Sequence, residues 1–464
     1  MKLRVIVPLA FLCSGAAFAA SPEIKPIFDV RLRYEGFDTP ARNTTADRSY
    51  HLGLGRARVG LDAKWTHWTL HGLVQAAGVV DVPENPAFGA GSNYLSANNG
   101  DTSPSQIGIA ELNAQYANGG FRMTLGRQFF VDGFEVSTGV GHLDAMKRRL
   151  LADRLVGVAD WTNVGRRFDG ASFGYGKGSG HLAVFGLRPL AGTFDHEDAF
   201  DPLDDVEVYG LTVTGQHGAW IPGAEVRLFA VQYEDGRQVA QTQPGAAGDD
   251  LSITTAGASL LAGNASGHVL VWGALQTGEW GTADQEAWAF IVNAGRNFPS
   301  APGKPMVHVS WEQSSGDDNP GGGDHETFFN VLPTNHKYYG IMDYVDFPNL
   351  RDLYVETLLS AGEKVKVRLA LHDFALTERS DAWYGGSGAF EEESFGYAAR
   401  VPASGRYPSD ELGRELDAEL TWTLPHSLTL GAGGGLFWGG EAAEAFMPVE
   451  ADGSWLYLEL TWKK

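Results

Sequence analysis

The feature that most constrains this chain is a two-residue alternation that recurs along its length. Val30, Leu32 and Tyr34 interleave with Asp29, Arg31, Arg33 and Glu35. Ala57, Val59, Leu61, Ala63 and Trp65 interleave with Arg56, Arg58, Gly60, Asp62 and Lys64, and the pattern resumes at Trp68 after Thr66-His67. Val365 to Leu371 alternates against Lys364, Lys366 and Arg368. Leu416 to Leu424 does so against Glu415, Asp417 and Glu419, and Leu456 to Trp462 closes the series. Period two is the signature of a strand with one apolar face. No run of about eighteen apolar residues follows the first segment, which excludes a helical membrane protein.

A soluble sandwich or β-helix also alternates. Three details favour a membrane barrel instead. The segments run about nine or ten residues, enough for a tilted crossing. Their apolar faces end in aromatics beside short turns, as at Trp65 and Trp68 or at Trp422 before Pro425-His426, matching an interfacial girdle. Their polar faces carry charges of both signs, which a water-filled lumen tolerates. The expected fold is therefore all-β: a transmembrane antiparallel up-and-down β-barrel. Backbone groups in lipid must all be paired, so the sheet must close. Roughly 445 residues at about 25 per strand and connection give about 16–18 strands. A barrel so wide is expected to hold an aqueous channel rather than a packed core.

Composition enters at three points. The first residues read as a signal peptide over 1–19: Lys2 and Arg4, the apolar run Val5 to Leu12, then Ala17-Phe18-Ala19, predicting a mature start at Ala20 and a barrel over 20–464. The single cysteine, Cys13, falls inside it, so the mature chain uses neither disulfides nor thiolate metal sites. Charge comes next: 57 acids against 35 bases give −22, and removing Lys2 and Arg4 leaves 33 bases and −24. That balance excludes a nucleic-acid binder. The 60 glycines serve small lumen positions such as Gly431, Gly433 and Gly435, and acidic loops at Asp81–Pro104, Asp195–Glu207, Asp235–Asp250, Glu312–Glu326 and Tyr384–Asp410.

Parity assigns lumen bases: Arg31, Arg33, Arg56, Arg58, Lys366 and Arg368. Glu35, Asp62, Asp169, Glu356, Glu415, Asp417 and Glu419 are the expected counter-charges. Catalysis is not expected. There is no His-Glu-x-x-His zinc helix and no Gly-x-x-x-x-Gly-Lys phosphate loop, and His67 and His71 lie on a strand. The acidic runs Asp195 to Asp198 and Asp201 to Asp205, with Asp317, Asp318 and Asp324, lack EF-hand spacing and read as solvated loops. No cofactor or metal is expected.

Several strings, in order along the chain, resemble the alginate-export family of outer-membrane porins. Arg31-Leu32-Arg33-Tyr34-Glu35 with Gly55-Arg56-Ala57-Arg58 is similar to its opening hairpin, and Thr124-Leu125-Gly126-Arg127-Gln128 to its Gly-Arg-Gln strand. Arg154-Leu155-Val156-Gly157, Trp161 to Gly170, Pro333 to Asp343 and Leu412 to Asp417 complete the resemblance. It implies an 18-stranded monomeric barrel that passes a polyuronate through an arginine-lined lumen. By motif Arg127, Arg154, Arg166 and Arg167 join the lumen bases, beside the basic run Lys147, Arg148 and Arg149. Strict alternation from Phe121 nevertheless turns Arg127 outward, so either a bulge at Gly126 flips the parity or Arg127 sits beyond the hydrocarbon zone. Asn335, His336 and Lys337 read either as a gate loop folded toward the pore or as a packed turn. The expected partners are an anionic polysaccharide or other anionic solute, outer-membrane lipid and periplasmic export partners. A general anion porin, or a barrel sheathing a partner such as a cytochrome, is the alternative.

Overall fold

A computed structural model describes residues 21–237, 250–386 and 397–464. The expected signal peptide with Cys13, and the central parts of the loops read at 235–250 and 384–410, lie outside these residues.

Eighteen of the described strands form one closed antiparallel sheet. They are β1 (Glu23–Asp38), β2 (Ser49–Lys64), β3 (Trp68–Val80), β4 (Ser105–Asn118), β5 (Phe121–Gln128) and β6 (Phe168–Lys177). Next come β7 (Gly180–Pro189), β8 (Val206–Gly215), β9 (Ala224–Asp235), β10 (Leu251–Asn264), β11 (Gly267–Trp280) and β12 (Ala283–Asn297). β13 (Met306–Ser314), β14 (Leu350–Ala361) and β15 (Val365–Leu376) follow, then β16 (Trp383–Gly386) and β17 (Tyr397–Arg400), which pair with each other in a separate two-stranded sheet. β18 (Glu411–Thr423), β19 (Leu428–Gly439) and β20 (Gly453–Lys463) complete the wall. β20 closes it on β1, from Asp29–Lys463 to Asp38–Ser454.

Connections alternate in length around the rims. Turns such as 65–67, 119–120, 178–179 and 362–364 lie at one end, with both ends of the wall, and the long connections 81–104, 129–167, 315–349 and 377–410 at the other. In outer-membrane barrels the short turns face the periplasm and the long loops the outside. Apolar side chains such as Leu32, Val59, Ile107, Leu112, Val271 and Leu458 stand exposed on the outer face. Trp422 sits beside the short turns and Trp288, Trp311 and Trp438 toward the opposite rim, forming two aromatic belts.

The packed core lies inside the barrel, which corrects the expectation of a lumen without one. Two long connections fold inward. The first, 129–167, carries the helix α1 (Gly141–Leu150) and buries Leu143, Met146, Leu150, Leu155 and Val156. The second, 315–349, buries Phe328, Phe329, Val331, Leu332, Tyr338 and Tyr339 in the same cluster. They join where the Gly157 amide donates to the Leu332 carbonyl at 2.8 Å and the Leu332 amide to Leu155 at 2.8 Å. The glycines of β19 make room for the second: a Cβ on Gly435 would stand 2.6 Å from Met342 Cγ.

Candidate functional site

The wall presents its charges as alternation requires. Arg31, Arg33 and Glu35 face inward on β1 between the exposed Leu32 and Tyr34, and Arg56, Arg58 and Asp62 face inward on β2 between the exposed Val59 and Leu61. Register sets Arg31 directly opposite Arg56. Like charges so placed destabilise a sheet. Here the inward 129–167 connection supplies the missing negative partners. Asp160 accepts from Arg58 at 2.6 Å, from Arg56 at 3.3 Å and from Arg167 at 3.4 Å. Arg31 donates to the carbonyls of Asp160 and Thr162 at 2.9 and 2.7 Å, and Arg33 to that of Trp161 at 2.6 Å. Glu459 of β20 and Glu35 hold Arg33 at 2.9 Å each. Burial by itself would raise the Asp160 carboxyl, yet the guanidiniums of Arg56, Arg58 and Arg167 hold it well below the usual carboxylate range.

Farther round the wall, on β14, β15 and β18, the inward charges are mainly acidic. Glu356 binds Arg368, Arg149 of α1 and His308. Arg368 also reaches Glu419 at 3.0 Å and Asp417 at 3.3 Å, and Tyr457 donates to Glu419 at 3.1 Å. Glu415 accepts the Met342 amide at 3.0 Å. The inward loop runs so close there that a Cβ on Gly340, already at φ +77°, would stand 2.3 Å from the Glu415 carboxylate. Asp62 pairs with His71 at 2.7 Å.

The other expected bases have different stations. Arg154 is on the inward loop rather than the wall, bound to Glu312 at 2.8 Å, to the Tyr339 hydroxyl at 3.0 Å and over the Tyr338 ring at 3.9 Å. Arg166 is also a loop residue, donating to the carbonyls of Gly157 and Leu332 at 3.2 and 3.1 Å, so it fastens the two loops together. Arg167 lies in the lumen, on Glu111 at 2.9 Å. Lys366 is exposed near the short-turn rim, close to Ser360. Lys147 is fully buried on α1 against Glu225. Arg127 is corrected: it pairs in register with the exposed Leu112 and with Asp169, so it stands on the outer row at the loop-side end of β5. Its guanidinium meets Asp169 there at 2.8 and 2.9 Å, which takes Asp169 out of the lumen as well. Alternation alone gave that orientation, and the motif assignment did not.

Asn335–Lys337 form a short turn on the second inward loop. Lys337 donates to the Ala152 carbonyl at 2.8 Å and to Asp153 at 3.2 Å, tying that loop to the first. Burial pulls the Lys337 ammonium below its ordinary value, partly offset by Asp153. His336 meets Asp343 at 2.8 Å and stacks on Trp161 at 3.9 Å, while Arg33 stands 3.6 Å from the Trp161 ring centre. Asn335 donates to the Gly386 carbonyl at 2.6 Å.

Several functional groups escaped the sequence reading. Glu312 and Arg227, which holds Glu135 at 2.7 Å, were accessible by strand parity. Asp160 was not, because a polar loop carries no period. Among the acidic runs, Asp317, Asp318 and Glu326 bring carboxylate oxygens within 4.8 Å of one another. The string Gly170-Ala171-Ser172-Phe173-Gly174 has serine-elbow spacing, but Ser172 lies within β6 and donates to Gln128 at 2.7 Å, with no strand-to-helix turn.

A family model described as alginate export matches residues 27–456, nearly the whole chain. The chain belongs to the alginate-export family. That membership and the closed barrel make it a non-enzymatic channel of the Gram-negative outer membrane. Similar solved structures include Pseudomonas aeruginosa OccK9 (OpdG), at TM-score 0.60 and 11% identity, covering 95% of this chain and 98% of that one. Acinetobacter baumannii OccAB3 matches at TM-score 0.56 and 10% identity, over 95% and 100%. Pseudomonas aeruginosa OpdK with vanillate matches at TM-score 0.55 and 9% identity, over 95% and 98%. At these identities the likeness concerns the fold. No curated protein matches the chain.

Proposed function

We propose that this channel lets an anionic polysaccharide, an alginate-like polyuronate, cross the outer membrane passively along the arginines of β1 and β2. The observation that carries the reading is the convergence of Arg56, Arg58 and Arg167 on Asp160, beside Arg31 and Arg33 on loop carbonyls. Guanidiniums recognise carboxylates by paired N–H donors. Where each guanidinium already holds a protein oxygen, a passing carboxylate exchanges one partner for another. The well at each step is shallow, as conduction requires. Chains that move through such a lumen need no energy source, cofactor or catalytic group.

A second reading is passage of small carboxylates. The two inward loops narrow the lumen, and one solved structure of similar fold is recorded with vanillate, itself a carboxylate. The same filling by the chain's own loops leaves little space for a sheathed protein partner. The test is conductance in a planar bilayer. Anion preference, block by oligouronates but not by neutral oligosaccharides, and loss of both in Arg56→Gln/Arg58→Gln support the polyuronate. Arg127→Ala, on the outer row, should leave them unchanged. Cation preference without oligouronate block refutes the proposal, and permeation of small carboxylates without oligouronate block favours the second reading.

A further inference from the structure

Near the short-turn rim, the start of α1 is tied to the wall by an unbroken line of hydrogen bonds. Asn297 Nδ2 lies 3.0 Å from His142 Nδ1, and His142 Nε2 lies 3.1 Å from His268 Nδ1. His268 Nε2 is 2.8 Å from Asn293 Oδ1, and Asn293 Nδ2 is 2.9 Å from His308 Nδ1. His308 Nε2 then lies 2.9 Å from Glu356 Oε1. The line crosses β12, α1, β11, β13 and β14.

Its direction follows from its ends. A neutral imidazole offers one donor and one acceptor nitrogen. Glu356, held by Arg149 and Arg368, only accepts, so His308 carries its proton on Nε2 and accepts at Nδ1 from the Asn293 amide. The Asn293 carbonyl therefore faces His268, which donates from Nε2 and accepts at Nδ1. His142 must then donate from Nε2 and accept at Nδ1 from Asn297. The Asn297 amide also donates to the Ala265 carbonyl at 2.7 Å, which fixes its orientation independently. Every acceptor nitrogen in the line is filled by a donor, so a second proton on any of the three rings sets one N–H against another.

We propose that this line is a proton-operated latch, which keeps α1 and its lumenal cations against the wall and releases them when His142 or His268 takes up a second proton. α1 carries Lys147, Arg148 and Arg149; Arg148 is exposed toward the open lumen, over the Phe134 ring at 3.9 Å. Movement of α1 would therefore change both the width and the charge of the periplasmic half. The groups around His142 are few. β11 presents His268, β12 the neutral Asn297, β13 His308, and β14 Glu356 with Arg368 of β15 behind it. β10 has no titratable side chain, and on the helix itself Asp144 is taken up by the Thr138 amide and hydroxyl at 2.7 and 2.8 Å, Arg149 by Glu356 and Lys147 by Glu225 of β9. Among the described residues, no carboxylate contacts His142 to accept its added charge. Burial lowers the His142 pKa from its ordinary value, so the latch is closed at neutral pH.

The experiment records the open conductance of the full-length channel in potassium chloride, acidifying the short-turn side from about pH 7.5 to about pH 4.5, across the ordinary histidine value near 6.5. Chloride and potassium carry the current, so the result stands apart from which anion is the natural cargo. The wild type should step to a higher conductance with a midpoint below that value. His142→Gln and His268→Gln keep a donor and an acceptor but do not titrate, and at least one should lose the step. His142→Ala, lacking the bond, should show the acid conductance already at neutral pH. Heat-modified gel migration confirms that each variant is a folded barrel. A wild type without the step, or a step that survives in both glutamine variants, overturns the proposal.

Discussion

Asp160→Asn is the sharpest test of how the lumen selects charge. Asp160 stands within hydrogen-bonding reach of Arg56, Arg58 and Arg167, and its side chain keeps 32% exposure to the lumen. Neutralising it adds one net positive charge where a permeant ion passes. For an ion about 8 Å away, the Coulomb energy is ~0.5 kcal/mol at the dielectric constant of water and ~2 kcal/mol at an effective value of about 20. A Debye length of about 10 Å, as in 0.1 M salt, reduces these to ~0.2 and ~0.9 kcal/mol. Chloride gains what potassium loses, so the permeability ratio should shift toward chloride by about 2- to 20-fold. Reversal potentials under a salt gradient measure that ratio directly. Asp160→Glu, which keeps the charge, should stay near the wild type. An Asp160→Asn channel with an unchanged or cation-shifted reversal potential would refute the assignment of these guanidiniums to the conducting path.

Two further predictions concern the inward loops. Glu312→Gln leaves the Arg154 guanidinium buried without its carboxylate, a loss of about 3–5 kcal/mol for a broken buried pair. It should expose 129–167 to protease while the barrel stays folded, and an unchanged cleavage pattern would contradict the anchoring role. Asp346 is buried, and burial pushes its carboxyl up to about 7 despite the Asn330 amide donating at 2.9 Å. Its folded value lies above the ordinary 3.8, so its contribution is fully present below that pH and is lost as the pH rises through about 7. Hydrogen exchange in 315–349 should therefore quicken between pH 5 and pH 8 in the wild type and change less in Asp346→Asn.

The wall of this channel could be read from the chain because a strand has only two faces. Once Leu32 and Tyr34 are placed against lipid, Arg31, Arg33 and Glu35 have no other side to occupy, and Glu415, Asp417 and Glu419 follow in the same way. Arg127 shows the strength of that rule, since alternation turned it outward where motif likeness turned it inward. Membership of the family was legible as well, through strings that fall in order from Arg31 to Asp417. The filling of the lumen was not. Val156 meets Leu332 across more than a hundred residues, and His142 meets His268 across a similar span. Neither segment has a period that would announce its partner.

One trace of the filling was nevertheless present in the charges themselves. An antiparallel hairpin that sets Arg31 opposite Arg56 places two guanidiniums side by side on one face. Neighbours on the same sheet cannot cancel both, because Glu459, opposite Arg33 and 2.9 Å from it, reaches Arg31 only at 3.9 Å, and Thr461 is the residue across from Arg31 on β20. Such a pair is tolerable only if oxygens arrive from outside the sheet. Those oxygens come from one stretch of the first inward loop, as the Asp160 carboxylate and the carbonyls of Asp160, Trp161 and Thr162. An excess of like charge on one strand face is thus a demand for a loop, even where nothing in the loop's own composition says that it will answer.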